Sequence, residues 1–71
     1  MNYKRIIDLR EEKDWTQTEV AKKINISQRA YSHYENGTRQ IPIDVLIKLS
    51  RLYSVSVDYI LGISSKRRIS Q

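Results

Sequence analysis

The stretch Thr16-Gln17-Thr18-Glu19-Val20-Ala21-Lys22-Lys23-Ile24-Asn25-Ile26-Ser27-Gln28-Arg29-Ala30-Tyr31-Ser32-His33-Tyr34-Glu35-Asn36-Gly37 decides the fold. Its first four residues spell a capping box: the Thr16 hydroxyl accepts from the amide of Glu19, and the Glu19 carboxylate returns to the amide of Thr16. Trp15 before the cap and Val20 after it are spaced for a hydrophobic staple. Val20, Ala21 and Ile24 form one apolar stripe, and Lys22 and Lys23 suit the negative end of the helix dipole. Asn25 tolerates the left-handed turn that ends the helix, which therefore spans about nine residues. Ile26 is a lone apolar plug in the turn, and Ser27 is a good N-cap for a second helix over residues 28–35, stopped by Asn36-Gly37. Two short helices joined by a three-residue turn result.

The punctuation continues outward from this pair. Residues 38–41 form a polar, basic loop, after which Pro42 favours a helix starting near Ile43 with Leu46, Leu49 and Leu52 facing inward. Tyr53-Ser54-Val55 breaks that helix. Ser56 caps a last short one over residues 57–61, and Gly62 ends it. Upstream, Asn2 can cap a helix carrying Ile6, Leu9 and Arg10 at helical spacing and ending near Asp14. With two Gly, one Pro and no sustained alternation of apolar and polar positions, the chain is read as all-α, a compact bundle of five short helices. Residues 1–63 form the domain. Residues 64–71, rich in Ser, Lys and Arg with little apolar area, are expected to be a basic, flexible tail.

Composition narrows what such a bundle can do. A chain of 71 residues holds one small core. The absence of Cys removes disulfides, thiolate metal sites and thiol nucleophiles, and the single His, His33, has no companion ligands, so no metal and no cofactor is expected. Ser, His and Asp all occur, but a catalytic triad needs an enclosed site that so small a core cannot spare, and no enzymatic role is expected. No apolar run approaches the length of a membrane span and no apolar secretory segment opens the chain, so a cytoplasmic location is expected. The net charge of +5 fits a partner bearing phosphate or acidic groups, although Lys66, Arg67 and Arg68 supply +3 of it and residues 1–65 carry only +2. So weakly basic a body binds nucleic acid only if its charge is sorted onto one face.

Four motifs in this order, Gln17-Thr18-Glu19-Val20-Ala21, Ile26-Ser27-Gln28, Tyr34-Glu35-Asn36-Gly37 and Val57-Asp58-Tyr59-Ile60-Leu61-Gly62, resemble the lambda-repressor-like family of DNA-binding domains, also called Cro/repressor or XRE. The resemblance covers about residues 3–62. It implies a five-helix domain whose second and third helices form a helix-turn-helix, and a sequence-specific regulator of transcription, a repressor in the first instance, that binds double-stranded DNA. The third helix would enter the major groove, where each base pair shows a distinct pattern of donors, acceptors and methyl groups. Helical spacing turns Ala30, Tyr31 and Tyr34 inward and leaves Gln28, Arg29, Ser32 and His33 outward.

Carried over position by position, the resemblance makes Gln28, Arg29, Ser32 and His33 base-contacting residues. Gln17 becomes a phosphate clamp that also braces Gln28. Arg10, Thr16, Asn36, Thr38 and Arg39 fall at phosphate-contacting positions, and Arg10 and Glu35 fall where relatives form a partly buried ion pair. Asn25 and Ser54 stand where many relatives have Gly, a cost if either adopts a positive φ. No inducer-sensing or self-cleaving role is expected from the residues after the motif. Two-fold pairing on DNA implies a weak homodimer, with Tyr59, Leu61 and Ile63 as the seam and Ile60 turned to the core. A different class of function remains open: an antitoxin or other module of this fold whose main task is to cover a protein partner.

Overall fold

A computed structural model of the chain describes residues 3–63. Five helices follow in order: α1 Lys4–Glu12, α2 Gln17–Lys23, α3 Gln28–Asn36, α4 Ile43–Tyr53 and α5 Val57–Ile60. α2 packs against α3 and α4 against α5, and α1 lies against both α3 and α5, tying the two pairs together. No strand occurs among the described residues, in keeping with an all-α bundle.

Three helices begin where a side-chain cap specifies it. The capping box of α2 is complete: Glu19 N donates to Thr16 Oγ1 at 3.1 Å, and Thr16 N donates to Glu19 Oε2 at 3.1 Å. Ser27 accepts from Ala30 N at 3.1 Å to start α3, and Ser56 accepts from Tyr59 N at 3.0 Å to start α5. α1 differs. Its cap position is Tyr3, which makes no side-chain cap bond and is buried in the core instead, while Asn2 lies outside the described residues, as do residues 64–71.

All five helices end in one way, with a hydrogen bond reaching back five residues wrapped around one reaching back three, the pattern of a Schellman motif. The pairs are Trp15 N to Arg10 O with Asp14 N to Glu11 O, Ile26 N to Ala21 O with Asn25 N to Lys22 O, Thr38 N to His33 O with Gly37 N to Tyr34 O, Val55 N to Ser50 O with Ser54 N to Arg51 O, and Ile63 N to Asp58 O with Gly62 N to Tyr59 O. This motif puts one residue per helix in the left-handed region. Gly37 and Gly62 fill two of these places, but Asp14 (φ 57°), Asn25 (φ 60°) and Ser54 (φ 54°) fill the others. Asn25 and Ser54 are where the sequence points to such turns, and Asp14 adds a third.

Several boundaries shift by a residue or two from the sequence reading. α1 stops at Glu12 because the Asp14 turn draws its last carbonyls into the closing motif. α2 is seven residues long rather than about nine, since Thr16 and Ile24 are its flanking caps. α3 extends one residue further, to Asn36, and α5 stops one sooner, at Ile60. The core joins Ile6, Leu9, Val20, Ala21, Ile24, Tyr31, Tyr34, Leu49 and Ile60 with residues of the loops, Ile41 and Val55. On α4, Val45 and Tyr53 take core places beside Leu46 and Leu49, and Leu52 is only half-buried, so the buried face is rotated toward Tyr53. Trp15 packs half-buried against the core: its ring sits 5.9 Å from that of Tyr53, with Lys23 Nζ 4.6 Å from its centre.

A left-handed Ser54 carries strain that glycine at the same place does not. Ser54→Gly is therefore expected to raise the unfolding free energy by about 0.5–1 kcal/mol, measured by urea unfolding. A variant equal to or less stable than the parent contradicts the strain at this turn.

Candidate nucleic-acid interface

The sequence-predicted contact residues gather at two places: the start of α3 with the start of α2, and the loop that follows α3. Gln28 and Arg29, the first two residues of α3, are exposed, and Ser32 and His33 on the next turn are half-buried. Thr16 and Gln17 open α2, and the Gln28 amide donates to Gln17 Oε1 at 3.4 Å, a long bond that joins the first side chains of the two helices. Asn36, Thr38 and Arg39 are exposed at the far end of α3. Arg29 and Arg39 have no ion-pair partner among the described residues.

Behind Gln17 stands a buried charge network. Gln17 Nε2 donates to Glu35 Oε1 at 3.0 Å, and Arg10 donates to both carboxylate oxygens, Nε to Oε2 at 2.7 Å and Nη2 to Oε1 at 3.2 Å. A third Arg10 nitrogen, Nη1, donates to the Trp15 carbonyl at 2.9 Å. The Glu35 side chain is 3% exposed and that of Arg10 16%. Arg10 is thus oriented inward by three protein bonds, as the structural member of a pair; a further bond to phosphate would fall to its remaining N–H groups. The chain of contacts Arg10, Glu35, Gln17, Gln28 runs from α1 through the core to the surface.

Charge in this network is set by competing effects. Burial pushes the Glu35 carboxyl up, but the hydrogen bonds from Arg10 and Gln17, together with the nearby Tyr31 hydroxyl, outweigh it and hold the carboxyl below its ordinary range. The hydrogen bond to Glu35 raises Arg10 in turn, against the smaller effect of burial. Burial raises the Tyr31 hydroxyl, and the adjacent Glu35 carboxylate raises it further. Tyr53 is pushed up to about 12, chiefly by burial. Both phenols are therefore neutral donors at physiological pH, though neither completes a well-formed hydrogen bond to a described residue.

Other features were not read from the sequence. Arg5 Nη1 donates to the Tyr59 carbonyl at 2.9 Å and its guanidinium stacks 4.2 Å from the Tyr59 ring, so one face of this expected seam residue is already covered. Leu61 is half-buried, whereas Ile63 is 73% exposed. Ile43 and Ile47 are also exposed on α4, where the sequence signalled only an inward face. Lys48 Nζ closes α2 by donating to Ile24 O at 3.2 Å. His33 and Thr38 are bonded to each other across the end of α3. Except for the i, i+4 pair Ile43 and Ile47, these contacts lack a helix-periodic signature, because each depends on where a neighbouring turn or helix comes to rest. Among the described residues no helix is long and apolar enough to cross a membrane, and no group of three His, Cys, Asp or Glu could hold a metal ion.

Two short helices at a fixed turn, the second with Gln28 and Arg29 exposed at its start, define a helix-turn-helix protein. Residues 6–60 match the helix-turn-helix family model named HTH_3, and the chain belongs to that family. It is 46% identical over 59 residues to the HTH-type transcriptional regulator ImmR of Bacillus subtilis (strain 168), an alignment covering 83% of this chain and 46% of the relative. It is 42% identical over 64 residues to the uncharacterized HTH-type transcriptional regulator YobD of the same organism, covering 90% and 57%. The cryptic phage CTXphi transcriptional repressor RstR of Vibrio cholerae is 38% identical over 53 residues, covering 75% and 48%. The chain spans about half the length of these curated relatives. No solved structure gives a significant match.

Because Glu35 is held below its unfolded-state value, the stability it contributes is present above about pH 4.5 and is lost as the pH falls through the lower folded-state value. Glu35→Gln removes this contribution. Comparing urea unfolding of both proteins at neutral pH and at about pH 3, the stability gap is expected to narrow at the acid end. A gap independent of pH shows that the carboxylate is not preferentially ionised in the fold.

Proposed function

We propose that this chain is the DNA-binding domain of a transcriptional regulator, a repressor, that reads duplex DNA in the major groove with α3. The observation that carries the reading is the bonded line from Arg10 through Glu35 and Gln17 to Gln28: a buried ion pair orients the first side chain of α2, which orients the first side chain of α3. Fixing a polar side chain in advance lowers the ordering cost of binding, which is what a base-reading group needs. The regulator names of its relatives, and the repressor name of one, support the same reading.

In this reading Gln28 pairs with adenine and Arg29 with guanine, the base edges that match their two-pronged side chains, while Ser32 and His33 read further along. Thr16, Gln17, Asn36, Thr38 and Arg39 hold the flanking phosphates, and Arg10 serves mainly as the brace behind them. The chain acts where its DNA is, in the cytoplasm, by binding and without a catalytic step. Gln28→Ala and Arg29→Ala are each expected to relax preference at one base position of a site selected from random duplexes, at a cost of about 1–3 kcal/mol. Arg39→Ala is expected instead to weaken all sequences alike and to flatten log K against log salt by about one unit. Unchanged base preference in the first two variants removes α3 as the reading helix.

One domain covers only part of a helical turn, so two copies related by a two-fold axis would read half-sites about 34 Å apart. Ile63, the most exposed residue of the expected seam, marks where the copies would meet, with Tyr59 and Leu61 behind it. So little apolar area gives a weak dimer that forms firmly only on DNA. Ile63→Lys is expected to abolish cooperative occupancy of a paired site while leaving a single half-site bound as before. Sedimentation of the protein–DNA complex reads the stoichiometry, and a persistent two-to-one complex in the variant moves the seam elsewhere.

A further inference from the structure

The end of α3 folds Thr38 back over His33. The closing motif at Gly37 turns the chain so that Thr38 N donates to the His33 carbonyl at 3.1 Å, and the Thr38 hydroxyl reaches the same carbonyl at 3.2 Å. The His33 ring nitrogen Nδ1 lies 2.8 Å from that hydroxyl oxygen. A threonine hydroxyl has one proton to give and lone pairs to receive. With its proton directed to the carbonyl, Thr38 Oγ1 faces Nδ1 as an acceptor, and both contacts are hydrogen bonds only if Nδ1 carries the ring proton. The opposite tautomer keeps one of the two bonds and forfeits the other. The same holds when the Thr38 hydroxyl turns to a phosphate oxygen, because its single proton is again given away and Nδ1 must still donate.

We infer that Thr38 holds neutral His33 in the Nδ1–H tautomer, so that Nε2 presents a lone pair and His33 selects a base whose exocyclic amine lies in the major groove, adenine or cytosine. Thr38 is the positioning residue and His33 the specificity-determining one. The base-pairing half of the inference rests on α3 being the groove-reading helix; the tautomer half rests on the two hydrogen bonds alone. Which ring nitrogen is protonated is set by what the other nitrogen meets, and Nε2 has no bonded partner among the described residues. In the major groove the amines of adenine and cytosine are donors, whereas guanine offers N7 and O6 and thymine offers O4, all acceptors that a bare Nε2 cannot pair with. This choice complements Arg29, which has only donors and therefore favours guanine. The loop after α3, placed to hold backbone, thus also determines what the helix reads.

The test has two arms on the full chain. In the first, long-range proton–nitrogen correlation spectra of the histidine ring are recorded without DNA, on the alkaline side of the ring's own titration. The expected result is a protonated Nδ1 and an unprotonated Nε2, with Thr38→Val, which keeps the shape and loses the acceptor, shifting the ring toward Nε2–H. A parent protein found in the Nε2–H form, or spectra identical in the two proteins, overturns the tautomer. In the second, selected sites of the parent and His33→Ala are compared. Preference is expected to be lost at one base pair, and replacing its adenine by purine or its cytosine by 2-pyrimidinone, which lack the amine, should weaken the parent about three- to tenfold and leave His33→Ala unaffected. A parent protein that binds the amine-less site as tightly as the native one, or loss of preference at no position while Gln28→Ala still alters its own, overturns the pairing. A chain without any sequence preference overturns the reading of α3 together with the pairing, and the spectra still decide the tautomer.

Discussion

A carboxylate that folding takes out of water must be met by donors, and Glu35 is that carboxylate here. At 3% exposure it is almost wholly removed from solvent, in the last turn of α3, where the helix dipole already disfavours a negative charge. Arg10 from α1 and Gln17 from α2 supply the bonds that offset both costs, and the Tyr31 hydroxyl adds its field from one turn earlier. Because each donor stands on a different element, the requirement fixes the relative positions of three helices. An apolar residue at the same place could hold the core as well or better, since buried ion pairs contribute little net stability. It could not orient Gln17. The charge is best understood as a device for position, and the position it secures is that of the first side chain of α3.

Around this centre the fold depends on economy of turn. None of the five helices exceeds eleven residues, a length at which isolated helices are marginal, so their ends need closing as much as their faces need covering. The repeated closing motif meets that need at all five C-termini, and at three of them it is kept although the residue is not glycine. Asn25 and Asp14 can soften the left-handed conformation with their short polar side chains; Ser54 has less to offer. The strain is the cost of corners tight enough to bring α1 back onto both α3 and α5.

How far the sequence speaks for this structure depends on the range of each interaction. The starts of α2, α3 and α5 were legible because Thr16, Ser27 and Ser56 each act on an amide three residues away, within one motif. The start of α1 was not, because Tyr3 goes to the core rather than to a cap. Helical spacing identified the inward faces of α3 and α4 but not their exact rotation: Leu52 is half out and Tyr53 is in, since Trp15 waits for the Tyr53 ring across the bundle. At the site, the Gln17, Gln28, Arg10 and Glu35 constellation was legible only through the ordered motifs of a family, residues up to 25 positions apart having no local signature. Arg5 on Tyr59, 54 positions away, was invisible for the same reason. The His33 and Thr38 contact is closer in sequence, yet it follows from the geometry of the Gly37 turn rather than from any pairing of residue types.

The chain contains five Tyr and no Phe, and the buried network gives that choice a physical reading. Tyr31 and Tyr53 fill core volume with their rings, as Phe would, while placing neutral hydroxyls near a carboxylate that benefits from every donor dipole in its surroundings. Burial raises both phenols, which keeps their protons in place over the range in which Glu35 is charged. Neither hydroxyl completes a bond of good geometry, so their contribution is a field rather than a fixed contact. That arrangement leaves Arg10 and Gln17 as the groups that define direction. A polar core in so small a domain thus separates two tasks: the tyrosines make the buried charge tolerable, and the directed bonds of Arg10 and Gln17 convert it into a side-chain orientation at the surface where α2 and α3 meet.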